Sequence, residues 1–204
     1  MDYKSSTPST CSYSMLKDTA DMYWRLLGVK QGLVLDLASG MGGFGQAKPN
    51  DVDLYGVERD LSISSHSIGY TDIINIEIGE QKLPFENNKF RGILARDILE
   101  HLDKPWEVVD ELYRVMDVGG MFICSVPKPD PKVVWNDYTH RRGFTGSALR
   151  SLVENSGFEV IDIFLMSGYT LAAKYKLSRY LPMLGHIPLL NNLFCSYHCI
   201  AVKK

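Results

Sequence analysis

A doubly wound α/β fold, one sheet between two layers of helices (αβα), is predicted by three features of this 204-residue sequence. Short, nearly continuous apolar runs such as Leu33–Leu37 and Met121–Val126 have the pattern of strands covered on both faces. Helical or turn-rich stretches alternate with these runs, which is the order of a largely parallel sheet rather than of a sandwich or barrel. A glycine-rich loop, DLASGMGGFG over residues 36–45, follows the first run directly, at the carboxyl edge where such sheets bind ligands.

Residues 1–13, rich in Ser, Thr and Pro, read as a flexible tail, and residues 14–204 as one domain without repeat or linker. A leading helix is expected over Ser14–Leu27, where Met15, Leu16, Met22, Tyr23, Leu26 and Leu27 recur at roughly helical spacing before Gly28. Strands follow at Leu33–Leu37, Asp53–Val57, Ile73–Ile78 and Arg91–Ala95. The helix Pro105–Met116 puts Val108, Val109, Leu112 and Val115 on one face. Gly119-Gly120 then turn the chain into the strand Met121–Val126. A helix over Ser147–Ser156, stopped by Gly157, leads to the strand Phe158–Phe164, and a last strand runs from about Ser196 to Val202. Residues 166–194 form an apolar, basic insertion that reads as a plain packing helix as readily as it does either as a lid over an apolar substrate or as an amphipathic surface for peripheral membrane contact, taken together.

Composition narrows the function classes. With 22 basic and 24 acidic residues the formal charge is -2, so no global positive field favours nucleic acid as a partner. The N-terminal MDYKSSTPSTCSYS lacks an apolar signal core, and no run approaches 18 uninterrupted apolar residues, so a cytoplasmic location is expected. Cys11, Cys124, Cys195 and Cys199 contain no C-x-x-C pair and read as reduced thiols, with Cys124 buried. Cys195, His198 and Cys199 sit in an alternating strand and cannot all face one ion, so no metal site is expected.

Gly40, Gly42 and Gly45 fit G-x-G-x-x-G, a pattern usually associated with dinucleotides, and Glu58 lies 18 residues beyond Gly40, near the spacing of ribose-binding carboxylates. A loop without Cβ atoms, opening onto a helix N-terminus, suits any ligand that needs a close backbone approach. Asp36 separates the candidates, because a carboxylate inside the first strand repels pyrophosphate but suits a ligand carrying ammonium and sulfonium groups.

VLDLASGMGG resembles the first motif, V-L-D-L-G-x-G-x-G, of the class I S-adenosylmethionine-dependent methyltransferases. KLPFENNKF, DILEHLDKP and ELYRVMDVGG resemble, in order and at normal spacing, the later L-P-F-x-D-x-S-F, V-L-E-H-L and L-x-R-V-L-K-P-G-G segments. The resemblance covers roughly residues 30–127. It implies a Rossmann-like, seven-stranded, mostly parallel sheet with an antiparallel last strand, and S-adenosyl-L-methionine as cofactor. By it, Asp36, Gly40 and Gly42 line the methionine end, with Ala38 and Ser39 standing where the family often has Gly-Cys. Glu58 holds the ribose hydroxyls, with Arg59 beside it. The acidic residue usual four positions before Leu83 is Gly79 here, which leaves Glu80 as the adenine candidate.

Arg96 and Asp97 follow the fourth strand at the ligand edge, and Arg96 is counted with the cofactor candidates. His101, in LEHL, reads as a packed or capping histidine. The loop KPDPKVVWNDYTHRRGFT is the substrate candidate: Trp135, Asp137, Tyr138 and Arg141 are expected to bind substrate, and His140 is the candidate general base. Its alternative role is structural, with Asp137 and His140 tying down a long loop. The function expected is methyl transfer to a small-molecule or lipid-linked acceptor. Its rivals are an NAD-dependent oxidoreductase and a catalytically silent cofactor-binding module.

Overall fold

The computed structural model describes residues 13–62, 67–166 and 180–204. Helix α1 (Tyr13–Leu27) precedes β1 (Gln31–Leu37), β2 (Asp51–Glu58), β3 (Asp72–Asn75) and β4 (Phe90–Arg96). Then come α2 (Pro105–Val115), β5 (Met116–Pro127), α3 (Pro131–Val134), α4 (Gly146–Asn155), β6 (Phe158–Met166), α5 (Leu181–Leu184) and β7 (Ser196–Lys203). All seven strands form one sheet in the order β3-β2-β1-β4-β5-β7-β6. Neighbours are parallel from β3 through β5, and β7 runs antiparallel to both β5 and β6. The expected doubly wound sheet with a reversed last strand is the one observed.

Strand alternation splits the core into two layers. Leu35, Leu37, Ile93, Ala95, Phe122 and Cys124 pack with Val109, Leu112 and Leu149 of α2 and α4. Val34, Leu54, Leu94 and Ile123 face the opposite way, against Met22, Tyr23, Trp24 and Leu27 of α1. His198 contacts Tyr23 and Phe164 on the α1 side, whereas Cys199 packs in the α2 layer, so the two residues do point to opposite faces. Cys124 and Cys199 are buried opposite one another and carry free thiols.

Four differences from the expected elements have local causes. β3 ends at Asn75 rather than at residue 78, because its partner β2 ends at Glu58, the residue paired with Asn75. β5 begins at Met116, directly after α2: the buried Met116 pairs with Phe90, and the register then jumps so that Gly92 faces Met121. Gly119, at φ +77°, and Gly120, where a Cβ would collide with Met116 Sδ, accommodate that excursion inside the strand instead of starting it. The Pro-rich loop contains the short α3, whose N-cap Asp130 accepts a hydrogen bond from the Lys132 amide at 2.9 Å. Finally, the glycine loop opens onto a single 3-10 turn, Gly43–Ala47, because β2 starts four residues later. α1 covers that face in its place: Trp24 stacks on Phe44 at 4.2 Å between ring centroids and donates to the Phe44 carbonyl at 2.9 Å.

Of the tail expected over residues 1–13, only Tyr13 lies within the described residues, where it begins α1. Residues 167–179 of the insertion also lie outside them. Among the described residues no helix is long and apolar enough to cross a membrane.

Candidate cofactor and acceptor cleft

The sheet order reverses between β1 and β4: the chain leaves β1 toward β2 and leaves β4 toward β5. Open α/β sheets hold ligands in the crevice this reversal creates at the carboxyl ends of the strands. A cleft of about 1080 Å³ lies there. Ala38 after β1, Glu58 and Arg59 at the end of β2, and Gly79 and Glu80 form one end. Asp97 and His101 after β4, with Tyr138, Thr139 and Arg141 from the loop after β5, form the other.

The glycine loop is held from below by Glu58. One carboxylate oxygen accepts from the Gly40 amide at 2.9 Å, and the other from the amides of Arg59 and Asp60 at 2.9 and 3.3 Å. Gly40 has φ +53° and no atom within 4 Å of where a Cβ would stand, which leaves its backbone open to a ligand. Gly42 and Gly45 serve the chain itself, since a Cβ on either would collide, with Ser67 and with the Ile68 carbonyl respectively. The third glycine of the dinucleotide-like pattern is therefore a packing glycine. Ala38 adopts φ +58°, a left-handed conformation that glycine takes without cost.

Asp36 lies beneath this loop, fully buried on the α1 face of the sheet. Its Oδ2 accepts a short hydrogen bond from the Tyr70 hydroxyl, and its Oδ1 has no partner among the described residues. Burial raises its pKa from 3.8 to about 6, against the opposing pull of Arg96 and Tyr70. Burial is the largest single influence on Arg96 and works against its charge, but Asp36, Tyr23, Asp97 and Tyr70 together raise the guanidinium's pKa. The guanidinium sits 5.2 Å from the Tyr23 ring centroid. The Tyr23 hydroxyl in turn meets His198 Nε2 at 2.7 Å. Asp36, Tyr23 and His198, all buried, with the half-buried Arg96 and Tyr70, thus form a polar layer between α1 and the sheet.

At the acceptor end, Asp137 Oδ1 accepts from the Thr139 amide and hydroxyl at 2.9 and 2.7 Å, and Thr139 Oγ1 meets His101 Nδ1 at 2.9 Å. His140 Nδ1 donates to the Val134 carbonyl at 2.5 Å, and its Nε2 lies 3.9 Å from Glu100. The two imidazoles meet edge to face, 4.6 Å apart. Burial, then the neighbouring His140, lowers the His101 pKa. Glu100, on the 3-10 turn Leu99–His101, is 1% exposed; burial and then Asp97 push its carboxyl well above the usual range. Arg141 pairs with Asp103, and Arg142 donates to the Asp103 carbonyl at 2.6 Å, which pins the loop to the start of α2.

The sequence-predicted residues are therefore brought together in part. Ala38, Glu58, Arg59, Glu80, Tyr138 and Arg141 line the cleft. Asp36, Ser39, Gly42 and Arg96 lie behind its wall, and Gly40 joins it through Glu58. Asp137 takes the loop-tying role, His140 sits beneath the cleft with its Nδ1 engaged, and Trp135 stands 60% exposed on the outside. Asp97, rather than Arg96, faces the cleft after β4; a left-handed turn at φ +49° and a 3.0 Å hydrogen bond from Ser125 Oγ set its position. His101 and Thr139 also line it and were missed as site residues. Their signal in the sequence was adjacency to predicted positions, which does not show which side chain faces the ligand.

The lining bears on which cofactor fits. Seven carboxylates (Glu58, Asp60, Glu77, Glu80, Asp97, Asp103 and Glu107) stand against three cations, Arg59, Lys104 and Arg141. That field repels a pyrophosphate and favours a ligand with cationic groups. The single 3-10 turn offers less helix dipole to a phosphate than the full helix of a dinucleotide site does. The room beside Gly40 where a Cβ would stand and the buried carboxylate of Asp36 beneath the loop fit S-adenosylmethionine better than NAD.

Fold and cleft together define a cofactor-dependent α/β protein that presents one ligand at the glycine loop and a second beside it. The comparisons agree: residues 20–163 match the methyltransferase domain family, and the chain belongs to that family. It is 28% identical over 113 residues to a probable S-adenosylmethionine-dependent methyltransferase of Mycolicibacterium smegmatis, covering 52% of this chain and 44% of that one. It is also 28% identical over 160 residues to 24-methylenesterol C-methyltransferase 3 of Arabidopsis thaliana, covering 67% and 44%. The matches span less than half the length of these curated relatives. Among solved structures, an S-adenosylmethionine-dependent methyltransferase from Archaeoglobus fulgidus superposes with a TM-score of 0.70 at 18% identity, covering 94% of this chain and 95% of that one. S-Adenosylmethionine is the cofactor that this family and fold imply.

Proposed function

We propose that the chain is an S-adenosylmethionine-dependent methyltransferase acting on a small-molecule or lipid-linked acceptor. The observation that carries this reading is the single cleft with two unlike ends. A glycine loop and a strand-end carboxylate stand at one end, and a loop bearing Asp97, His101, Thr139 and Arg141 at the other. When bound, the cofactor supplies a methyl group activated by a sulfonium. Glu58 holds the ribose hydroxyls while keeping the Gly40 amide in place. Glu80 and the Gly79 backbone form the adenine end. Asp36 and Arg96 set the charge beneath the loop from their polar layer, and Ala38, Ser39 and Gly42 shape it.

Most of the rate in such a transfer comes from alignment and exclusion of water. Thr139 and Asp137 support this by fixing the acceptor loop, and the Arg141–Asp103 pair holds its far end. Arg141, with Tyr138 beside it, borders the acceptor space and offers a cation to an anionic group on the substrate. A lipid-linked acceptor gains support from Met183, Leu184, Ile187 and Leu189, each of which is exposed on or shortly after α5 and suits peripheral contact with a membrane surface.

Calorimetry with S-adenosylhomocysteine and with NAD, followed by transfer of labelled methyl into aqueous and lipid extract fractions, tests the reading. Binding of S-adenosylhomocysteine together with label in either fraction supports it. Tight NAD binding without S-adenosylhomocysteine binding returns the oxidoreductase. Cofactor binding with no label in any fraction returns the silent module.

A further inference from the structure

Beneath the acceptor end lies a cluster that alignment alone does not use. Glu100 and His101 come from the turn after β4 and His140 from the loop after α3, and one ligand atom from each lies within 4.8 Å of the other two. Glu100 is 1% exposed, yet among the described residues none other gives a hydrogen bond to either of its carboxylate oxygens. A carboxyl group taken out of water without a partner residue ionises only at a cost, which a bound cation offsets.

The two histidines are prepared for the same ligand. Thr139 gives its hydroxyl proton to Asp137 at 2.7 Å, so at 2.9 Å it accepts from His101 Nδ1–H. His140 Nδ1–H donates to the Val134 carbonyl. Each ring therefore carries its proton on Nδ1 and keeps the Nε2 lone pair. Donation of the second nitrogen's proton to a fixed acceptor is how proteins orient ligating histidines. The separations, 3.9 Å between His140 Nε2 and Glu100 Oε1 and up to 4.8 Å within the set, are wider than the edge of about 3.4 Å that bonds of about 2.1 Å give in a tetrahedral site. Binding draws the three groups inward.

We propose that Glu100, His101 and His140 hold one divalent transition-metal ion whose remaining coordination positions open into the cleft and take the oxygen of a hydroxyl-bearing acceptor. Two imidazoles and a carboxylate suit zinc, iron(II) or manganese(II). His101 and Thr139 line the cleft, so the open side faces the acceptor space, with Asp97 beside it. This function for the ion rests on the methyltransferase reading. The metal-bound hydroxyl loses its proton to solvent at lower pH than a free one. Its oxygen then forms the new O–C bond as the S–C bond breaks, and the sulfonium leaves as a neutral thioether. The inference selects an oxygen nucleophile and makes His140 a ligand rather than the general base.

Chelator-treated full-length protein titrated with Zn²⁺ or Mn²⁺ by calorimetry, with Co²⁺ absorption as a second readout, tests the site. One ion per chain is expected, and Co²⁺ should give ligand-field bands. Glu100→Gln and His140→Gln should weaken binding at least 100-fold. Thr139→Val, which leaves all three ligands in place, should weaken it about 10- to 100-fold. Circular dichroism and S-adenosylhomocysteine binding on each variant report whether it is folded. No binding by the wild type at millimolar metal overturns the inference, as does binding that folded Glu100→Gln retains. S-Adenosylhomocysteine binding without metal binding removes the metal site alone, whereas metal binding without S-adenosylhomocysteine binding removes the methyltransferase reading and leaves the site.

Discussion

Replacing Asp36 by asparagine should make the ligand-free protein more stable while weakening its hold on cofactor. Asp36 is fully buried, one of its oxygens is unpartnered among the described residues, and its pKa stands at about 6 against an ordinary 3.8. At pH 7 the folded protein therefore carries an ionised group that folding disfavours. With 1.36 kcal/mol for each pH unit of difference, the cost is about 3 kcal/mol. Asparagine keeps an acceptor for the Tyr70 hydroxyl but loses the attraction to Arg96 and brings an amide NH₂ that needs a partner, so the net gain is about 1–2 kcal/mol. In a chain of this length that corresponds to a rise in Tm of about 2–8 °C.

The assay is thermal unfolding of both proteins without ligand at pH 7.0 and at pH 4.5. Because the raised pKa means that Asp36 destabilises only when ionised, the advantage of the variant should be present at pH 7.0 and mostly gone at pH 4.5. In parallel, S-adenosylhomocysteine affinity should fall about 10-fold, because the negative charge that Asp36 places beneath the loop no longer attracts the ligand's ammonium group. A variant less stable than wild type at pH 7.0, or equally favoured at both pH values, would refute the account of the buried charge. Unchanged affinity would remove Asp36 from the cofactor's reach.

His198 gives the opposite pH trend. Burial lowers its pKa from 6.5 to about 4, so its contribution is present above pH 6.5 and lost as pH falls toward 4, whereas that of Asp36 is present below 3.8 and lost as pH rises through 6. The two should nearly cancel between pH 4 and 6, and urea titrations of Asp36→Asn should uncover a slope of about 1.4 kcal/mol per pH unit there. Ala38→Gly should stabilise by about 0.5–1 kcal/mol, since it relieves a left-handed alanine at φ +58°; a drop in Tm would contradict that. Gly45→Ala should cost about 1–3 kcal/mol by driving a Cβ into the Ile68 carbonyl, and a neutral result would mean the loop has room to move. Lys203→Met should cost about 2–4 kcal/mol, because the ammonium ties Asn88 and the Tyr113 and Met116 carbonyls together at 2.7–2.9 Å; stability equal to wild type would show those groups find other partners.

Why the fold was legible and the site only partly so comes down to the range of the interactions involved. Buried strands leave a local mark, an apolar run followed by a turn, and that mark placed β1, β2, β4, β6 and β7 within a few residues. It failed at β3, whose end is decided by where β2 stops, and at Gly119-Gly120, whose strand begins earlier because Met116 finds Phe90 across the sheet. The site follows the same division. Glu58 was predictable because a strand end fixes it beside the loop it supports. Asp36 was correctly singled out as a costly buried carboxylate, but its neighbours Tyr70 and Arg96 come from other segments, so the sequence did not place it behind the cleft wall. The pairing of Glu100 and His101 with His140 is a stronger case, because taken alone His101 reads as a packed or capping residue and His140 as a general base or loop tie, and neither reads as a ligand. Only when the Thr139 relay and the Val134 carbonyl fix both tautomers does the Glu100 between them, unpartnered among the described residues, become a chemical statement. Chemistry that depends on the direction of a hydrogen bond between distant segments leaves no local sequence pattern, whereas chemistry attached to a strand end does.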